Sequence, residues 1–184
     1  MTRCAIALVI GLLAAPGGPI TDPVQRSTSP ALPTILIETA KGSIEIELFR
    51  ADAPKSVEHI LGLVRRGFYR GLRFHRVTAS LAQVGDPLSR DMSKDAYWGT
   101  GGSGDPIGVA EISTRSHLRG TVALAHSGDP KLADSQFYIM KTASPSLDGK
   151  YAVIGRVTQG MDVVDRLARA DVIRNASVKG EGAK

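Results

Sequence analysis

Cysteine is nearly absent: Cys4 is the single cysteine among 184 residues. If the N-terminal segment is removed, the remaining chain contains no thiol. Such a chain cannot form disulfides, zinc–thiolate sites or a cysteine nucleophile. The four histidines, at positions 59, 75, 117 and 126, also lack the spacing of metal ligands, and His59 is expected to be solvated on a helix. We therefore expect no metal and no cofactor.

Long hydrophobic runs are also missing. The apolar run over residues 4–15 is shorter than the roughly 20 residues that cross a bilayer. Because Arg3 precedes it and Pro16 breaks it, we predict a signal peptide over 1–20 and an exported product, periplasmic or secreted, without stable membrane insertion after cleavage. A buried N-terminal helix and a retained anchor are the alternatives. Residues 21–33, rich in Ser, Thr and Pro, predict a flexible linker.

Charge of one sign is not concentrated anywhere. The net charge is +5, aromatic residues make up only 5% of the chain, and Arg65-Arg66 is the longest basic pair. No stripe combines basic and aromatic residues, so we expect no nucleic-acid partner. The formal G-x-G-x-x-G at 99–104 lacks a preceding strand and a following helix, which indicates an ordinary loop. Nothing in the sequence indicates more than a monomer.

Many short strands and two helices are predicted. Residues 34–39 and 43–48 flank a Lys41-Gly42 turn, and an amphipathic helix begins at Asp52-Ala53-Pro54 and ends near Gly67. The other predicted elements are strands at 72–77, 121–125, 136–140, 151–157 and 177–178, and a helix at 161–170. This pattern favours a mainly β domain over 34–178, a closed antiparallel barrel capped by two α-helices, followed by a disordered tail at 179–184.

Arg76 is the most informative single residue. It ends the alternating run 72–77, which would anchor its guanidinium on a rigid strand. An arginine stays charged and carries five donors in a fixed fork, so it could polarise a substrate without covalent chemistry. The alternative is a structural ion pair.

Six motifs occur in an order that identifies a resemblance. The motifs are Phe74-His75-Arg76-Val77, Gln83-Val84-Gly85-Asp86-Pro87, Gly99-Thr100-Gly101-Gly102, Ser135-Gln136-Phe137-Tyr138-Ile139, Leu147-Asp148-Gly149-Lys150 and Gly160-Met161-Asp162-Val163-Val164. With these motifs the chain resembles the cyclophilin family of peptidyl-prolyl cis–trans isomerases over about residues 34–178, and this resemblance implies an eight-stranded barrel.

The resemblance also implies the roles of individual residues. Arg76 is expected to donate to the prolyl nitrogen of a twisted X–Pro bond, and Gln83 to orient Arg76. Because twisting removes amide resonance, such a donor would stabilise the twisted state more than either planar state. Pro-containing polypeptides are the implied substrates, bound by His75, Leu81, Ala125, His126, Gln136, Tyr138, Leu147 and Tyr151.

Two departures from the family pattern concern the proline pocket. The segment 78–84 is one residue shorter than the family form and offers Leu81 and Ala82 where an aromatic usually backs the pocket. Ser146 replaces the tryptophan of drug-sensitive members, which predicts weak cyclosporin binding. A module that binds Pro-containing segments with little turnover, or a chaperone with this fold, is the alternative function.

Overall fold

The computed structural model of the chain describes Met1 and residues 32–181. The predicted signal peptide beyond Met1, and all of the predicted linker except its last two residues, lie outside the described residues. In the described part, no helix combines the length and the apolar character needed to cross a membrane.

A single sheet of eight antiparallel strands forms the domain. Its neighbours run in the order β3-β4-β6-β5-β7-β2-β1-β8. The strands are β1 Thr34–Thr39, β2 Gly42–Leu48, β3 Arg76–Val77, β4 Leu81–Val84, β5 Thr121–Leu124, β6 Phe137–Met140, β7 Val153–Gln159 and β8 Ile173–Val178. The mainly β, eight-stranded prediction is confirmed, and the β1–β2 hairpin pairs as expected around Lys41.

The prediction of a closed barrel is wrong, because the sheet is curled but open. Its edges, β3 and β8, are not paired with each other. Arg73 instead forms an isolated bridge with Val172, and the Ile173 N–H donates to the Leu72 carbonyl. The predicted strand over 72–77 is regular only at its last two residues. A strand of two residues, paired with β4, is too short to form a ladder across the gap.

Helix α1, Pro54–Arg65, packs its apolar face on the sheet. Its N-cap is Ala53, whose methyl group cannot accept a hydrogen bond from the first turn of the helix. The carboxylate of Glu111 supplies the cap, accepting from the Lys55 N–H at 3.0 Å and the Ser56 N–H at 2.8 Å. At the other end Gly67, with φ of 69°, adopts the left-handed conformation that ends many helices, as predicted.

Helix α2 is shorter than predicted. It covers Met161–Arg166, whereas the apolar periodicity predicted a helix to residue 170. The chain leaves the helix because Leu167 is extended and the Asp171 carboxylate accepts from the Ala168 N–H at 2.7 Å. Beyond β8, the Lys179 N–H donates to the Thr34 carbonyl. Glu181 pairs with Arg65 at 2.7 Å, and residues 182–184 lie outside the described part of the chain.

Candidate active site

One cavity of about 260 Å³ collects eight of the ten residues predicted for the site. It opens over the half of the sheet formed by β3, β4, β6 and β5. Its lining residues are Arg76, Leu81, Gln83, Ala125, His126, Tyr138, Leu147 and Tyr151. The other two predicted residues lie beside it: Gln136 lines a neighbouring cavity, and His75 is buried.

Strand register explains how residues distant in sequence meet at this cavity. Arg76 on β3 lies opposite Gln83 on β4, and Gln83 lies opposite Tyr138 on β6. Tyr138 in turn lies opposite Ala123 on β5. Because residues paired across antiparallel strands point to the same face, the guanidinium, the amide and the phenol share one side of the sheet.

A chain of amide hydrogen bonds orients Arg76. The Gln136 Nε2 donates to the Gly99 carbonyl at 2.9 Å and to the Gly101 carbonyl at 2.7 Å. Because a carbonyl can only accept, these two contacts fix which end of the Gln136 amide is nitrogen. Its Oε1 then accepts from the Gln83 Nε2 at 2.9 Å, which leaves the Gln83 Oε1 to accept from the Arg76 Nη1 at 3.4 Å.

No ion pair links Arg76 to a carboxylate of the described residues, and its side chain is exposed at the cavity. Arg76 therefore has no carboxylate partner in this part of the chain for the structural ion pair considered as the alternative. With its charge uncompensated and one edge held by Gln83, the guanidinium has donors left to offer a bound peptide.

His75 lies beneath the loop that follows position 98. It is 6% exposed, and a Cβ placed on Gly99 would lie 3.5 Å from its ring. Burial lowers the pKa of His75, although the nearby Asp86 carboxylate acts in the opposite direction. The imidazole is therefore held neutral and supports the loop from below rather than lining the cavity.

The cavity walls belong to a small apolar cluster separate from the main core. Phe49, Leu81, Met140 and Val153 pack around Tyr138, and Leu147 and Tyr151 close the rim. The Tyr138 and Tyr151 rings meet edge to face at 5.6 Å, and His126 packs on Tyr151 at 4.6 Å. The aromatic surface of this cavity therefore comes from β6 and the rim, whereas β4 contributes Leu81.

The Tyr138 hydroxyl has a partner that the sequence analysis missed. His117, whose side chain is fully buried, places its Nε2 3.0 Å from that hydroxyl and its Nδ1 2.9 Å from Asp148. Burial raises the pKa of Tyr138 well above its ordinary value, so the phenol is neutral. The hydroxyl of a tyrosine on a buried strand usually has a hydrogen-bond partner. The sequence therefore indicated that a partner exists, although not which residue it is.

A second, larger cavity of about 470 Å³ adjoins the first. The two share Gln83, Ala125 and His126, and the loop 99–102 forms the far wall of the second. The Asp134 carboxylate, which also lines this cavity, accepts from Ser103 and from the Gly104 N–H, and it pairs with His59 at 3.1 Å. His59 is therefore mostly buried and paired, and the expectation of a solvated histidine is wrong.

Comparisons with known proteins agree with this geometry. The model of the family "Cyclophilin type peptidyl-prolyl cis-trans isomerase/CLD" matches residues 34–181. A probable peptidyl-prolyl cis-trans isomerase of Brucella suis is 42% identical over 150 residues, which cover 79% of this chain and 76% of that protein. The peptidyl-prolyl cis-trans isomerase of Helicobacter pylori is 38% identical over 144 residues, covering 76% and 82%.

Solved structures show the same fold. A cyclophilin-type isomerase of Cryptosporidium parvum superposes with a TM-score of 0.70 at 23% identity, covering 82% of this chain and 99% of that one. A cyclophilin of Hirschia baltica gives a TM-score of 0.62 at 25% identity, covering 78% and 72%.

The chain belongs to the cyclophilin-type peptidyl-prolyl cis–trans isomerase family. It is an isomerase, and its fold is one that binds Pro-containing peptides. The resemblance read from the six sequence motifs is confirmed.

Proposed function

We propose that the chain accelerates rotation about X–Pro bonds by placing the Arg76 guanidinium against the prolyl nitrogen of a twisted amide. Amide resonance sets a barrier of about 18–20 kcal/mol to this rotation. Rotation by a quarter turn removes the resonance and leaves a lone pair on nitrogen. A donor that meets this lone pair only in the twisted state lowers the barrier, because it binds the transition state more strongly than either planar form.

The observation that carries this proposal is the fixed orientation of Arg76 at the cavity that Leu81, Tyr138 and Leu147 line. In this assignment the proline ring occupies the apolar cavity and its nitrogen faces the guanidinium. Gln83 positions the arginine, and the orientation of its amide is set by Gln136, which the Gly99 and Gly101 carbonyls hold in turn. The reaction requires no nucleophile, metal or cofactor, since no covalent bond forms or breaks.

Removal of the guanidinium tests the proposal. We expect Arg76→Ala to lower kcat/KM about 100-fold or more, as the loss of one preorganised donor does in other enzymes. Arg76→Lys should also be poor, because an ammonium lacks the planar fork that Gln83 holds. Arg156→Ala is the matched control, since Arg156 is an exposed strand arginine paired with Glu47 and outside the cavity.

The assay is magnetisation exchange between the cis and trans forms of an Ala–Pro peptide, measured by NMR. If Arg76→Ala and the wild type exchange the peptide at the same rate, the role of Arg76 is refuted. Peptide binding by the wild type without faster exchange would favour the second candidate, a low-activity module or chaperone that binds Pro-containing segments. That candidate rests on Leu81, which lines the cavity where an aromatic residue was expected from the family pattern. Ala82, also expected at this wall, is instead buried in the main core, because it lies on the opposite face of β4.

We further propose that the substrates are exported proteins and that the enzyme works as a periplasmic or secreted monomer. The support is the apolar run over 4–15 between Arg3 and Pro16. Fractionation of cells that produce the full chain, with mass measurement of the product, tests this. An uncleaved product confined to the cytosol would contradict it.

Weak cyclosporin binding is proposed from the rim. Ser146 is exposed in the turn Pro145–Leu147 and presents a small hydroxyl where drug-sensitive members carry an indole. We expect a Ser146→Trp variant to bind cyclosporin more tightly than the wild type in a calorimetric titration. Stoichiometric, tight inhibition of the wild type would refute the prediction.

A further inference from the structure

We infer that His117 is a positioning residue that ties the floor of the proline cavity to its wall. The inference rests on the proposed assignment of the 260 Å³ cavity as the proline site. His117 lies in the coil just before β5 and lines neither cavity. Its imidazole nevertheless joins Tyr138 on β6 to Asp148 in the rim loop, and this polar link adds to the edge-to-face contact of Tyr138 with Tyr151.

The donors and acceptors of this link are determined by charge. The Asp148 Oδ1 accepts from the His117 backbone N–H at 2.7 Å and contacts the Nδ1 at 2.9 Å. These hydrogen bonds lower the pKa of Asp148, so its carboxylate is ionised and can only accept. Nδ1 therefore carries the ring proton. When Nδ1 carries the only ring proton, Nε2 accepts, and the Tyr138 hydroxyl donates to it.

Both ends of the link hold cavity surface in place. Tyr138 is 3% exposed and forms the floor, with its ring 6.0 Å from that of His117 in a stacked arrangement. Asp148 directly follows the turn that carries Leu147, and Tyr151 lies three residues further on. The rim loop has no strand or α-helix of its own between Lys141 and Ala152, so it depends on side-chain contacts. The His117–Asp148 contact is one of them, and the contact of His126 with the Lys150 carbonyl is another.

The floor and the wall contact the proline ring in the planar and twisted states alike. Loosening the link should therefore weaken substrate binding without changing the rate of the rotation itself. We expect KM to rise and kcat to stay the same. A role confined to folding would have the opposite signature: a lower melting temperature and an unchanged KM for the folded enzyme.

Three variants separate these outcomes. His117→Phe keeps a ring of similar size but removes both nitrogens, and we expect KM to rise about tenfold with kcat within about twofold. Tyr138→Phe breaks only the floor end and should raise KM several-fold. The double variant should show the KM of His117→Phe alone, because both changes break one link. Tyr69→Phe is the matched control: it removes a buried hydroxyl bonded to the Ser135 carbonyl, outside the cavity, and KM should not change.

An unchanged KM in His117→Phe, with only its melting temperature lowered, would overturn the inference. If that variant does not fold, Tyr138→Phe decides in the same way. A long-range ¹⁵N spectrum of the wild type showing the proton on Nε2 rather than Nδ1 would also overturn it. Leu147→Ala tests the cavity assignment separately: if it leaves KM unchanged the assignment fails, whereas a raised KM there with an unchanged KM in His117→Phe refutes only the positioning role.

Discussion

Reversing the polarity of one amide should destabilise the loop that shapes the second cavity. Gln136→Glu is isosteric, but it replaces the Nε2 donor by a carboxylate oxygen that faces the carbonyls of Gly99 and Gly101. The other carboxylate oxygen can still accept from Gln83. The substitution therefore removes two hydrogen bonds, adds a repulsive contact and leaves the volume of the side chain unchanged.

The magnitude follows from those contacts. Each lost hydrogen bond costs about 1 kcal/mol net, and facing an anion with two carbonyls adds a further penalty. The Gly99 carbonyl is accessible to water, which limits the loss, whereas the Gly101 contact is partly buried. We expect the free energy of unfolding to fall by about 2–3 kcal/mol. For a domain of this size that corresponds to roughly 4–12 °C in melting temperature.

Urea denaturation at pH 7 and at pH 4 is the assay. The two carbonyls should raise the pKa of the introduced carboxyl in the folded state. The destabilisation should therefore be small near pH 4 and grow as the pH rises above the unfolded value of about 4.3. Gln83→Glu is the comparison, since it loses one hydrogen bond and gains an ion pair with Arg76, so it should stay within about 1 kcal/mol of the wild type. Equal stability of the two variants at pH 7 would refute the directional amide chain.

Three further predictions concern the scaffold. Glu111→Ala should lower the free energy of unfolding by about 1–2 kcal/mol, because α1 loses its cap; an unchanged urea midpoint would contradict this. Gly160→Ala should cost at least about 2 kcal/mol, since its φ is 89° and a Cβ would lie 2.2 Å from the Ser43 oxygen; a thermal melt like that of the wild type would refute it. Hydrogen bonds from Arg65 lower the pKa of Glu181, so the stability difference between the wild type and Glu181→Gln should be complete well above pH 4.5 and vanish as the pH falls through the lowered pKa. A difference that is the same at pH 3 and pH 7 would contradict this account of the contact.

Elements with a strong local signal could be predicted from the sequence. The β1–β2 hairpin has alternating apolar residues around a glycine turn, and α1 has a proline at its start and a left-handed glycine after its end. Strand β4 was missed, because Leu81–Val84 is short and carries a glutamine among apolar residues. Helix α2 was predicted too long, since apolar residues continue to Ala168 while Asp171 binds the backbone and ends the helix.

Half of the cavity lining could be predicted directly, because Arg76, Gln83, Tyr138 and Leu147 lie within the motifs. The other four lining residues were predicted from their positions between the motifs, as the resemblance implies. The hydrogen bonds that hold the surrounding elements in place could not be predicted. The Glu111 cap of α1 and the His117 contact with Tyr138 join residues that are 55 and 21 positions apart, and no local pattern indicates either. The closed barrel was wrong for a related reason: whether β3 meets β8 depends on the path of the chain at Gly71–Arg73, which strand periodicity does not report.

The pairing of β1 with β8 has a consequence for the timing of folding during synthesis. Glu38 on β1 and Asn175 on β8 are hydrogen-bonded although they lie 137 residues apart. At translation rates of about 5–20 residues per second, β8 is synthesised roughly 7–27 s after β1. All ten predicted site residues lie between His75 and Tyr151, so the whole site is synthesised during that interval. A chain stopped before Ile173 would then carry all ten predicted site residues on a sheet whose β1 edge is still uncovered.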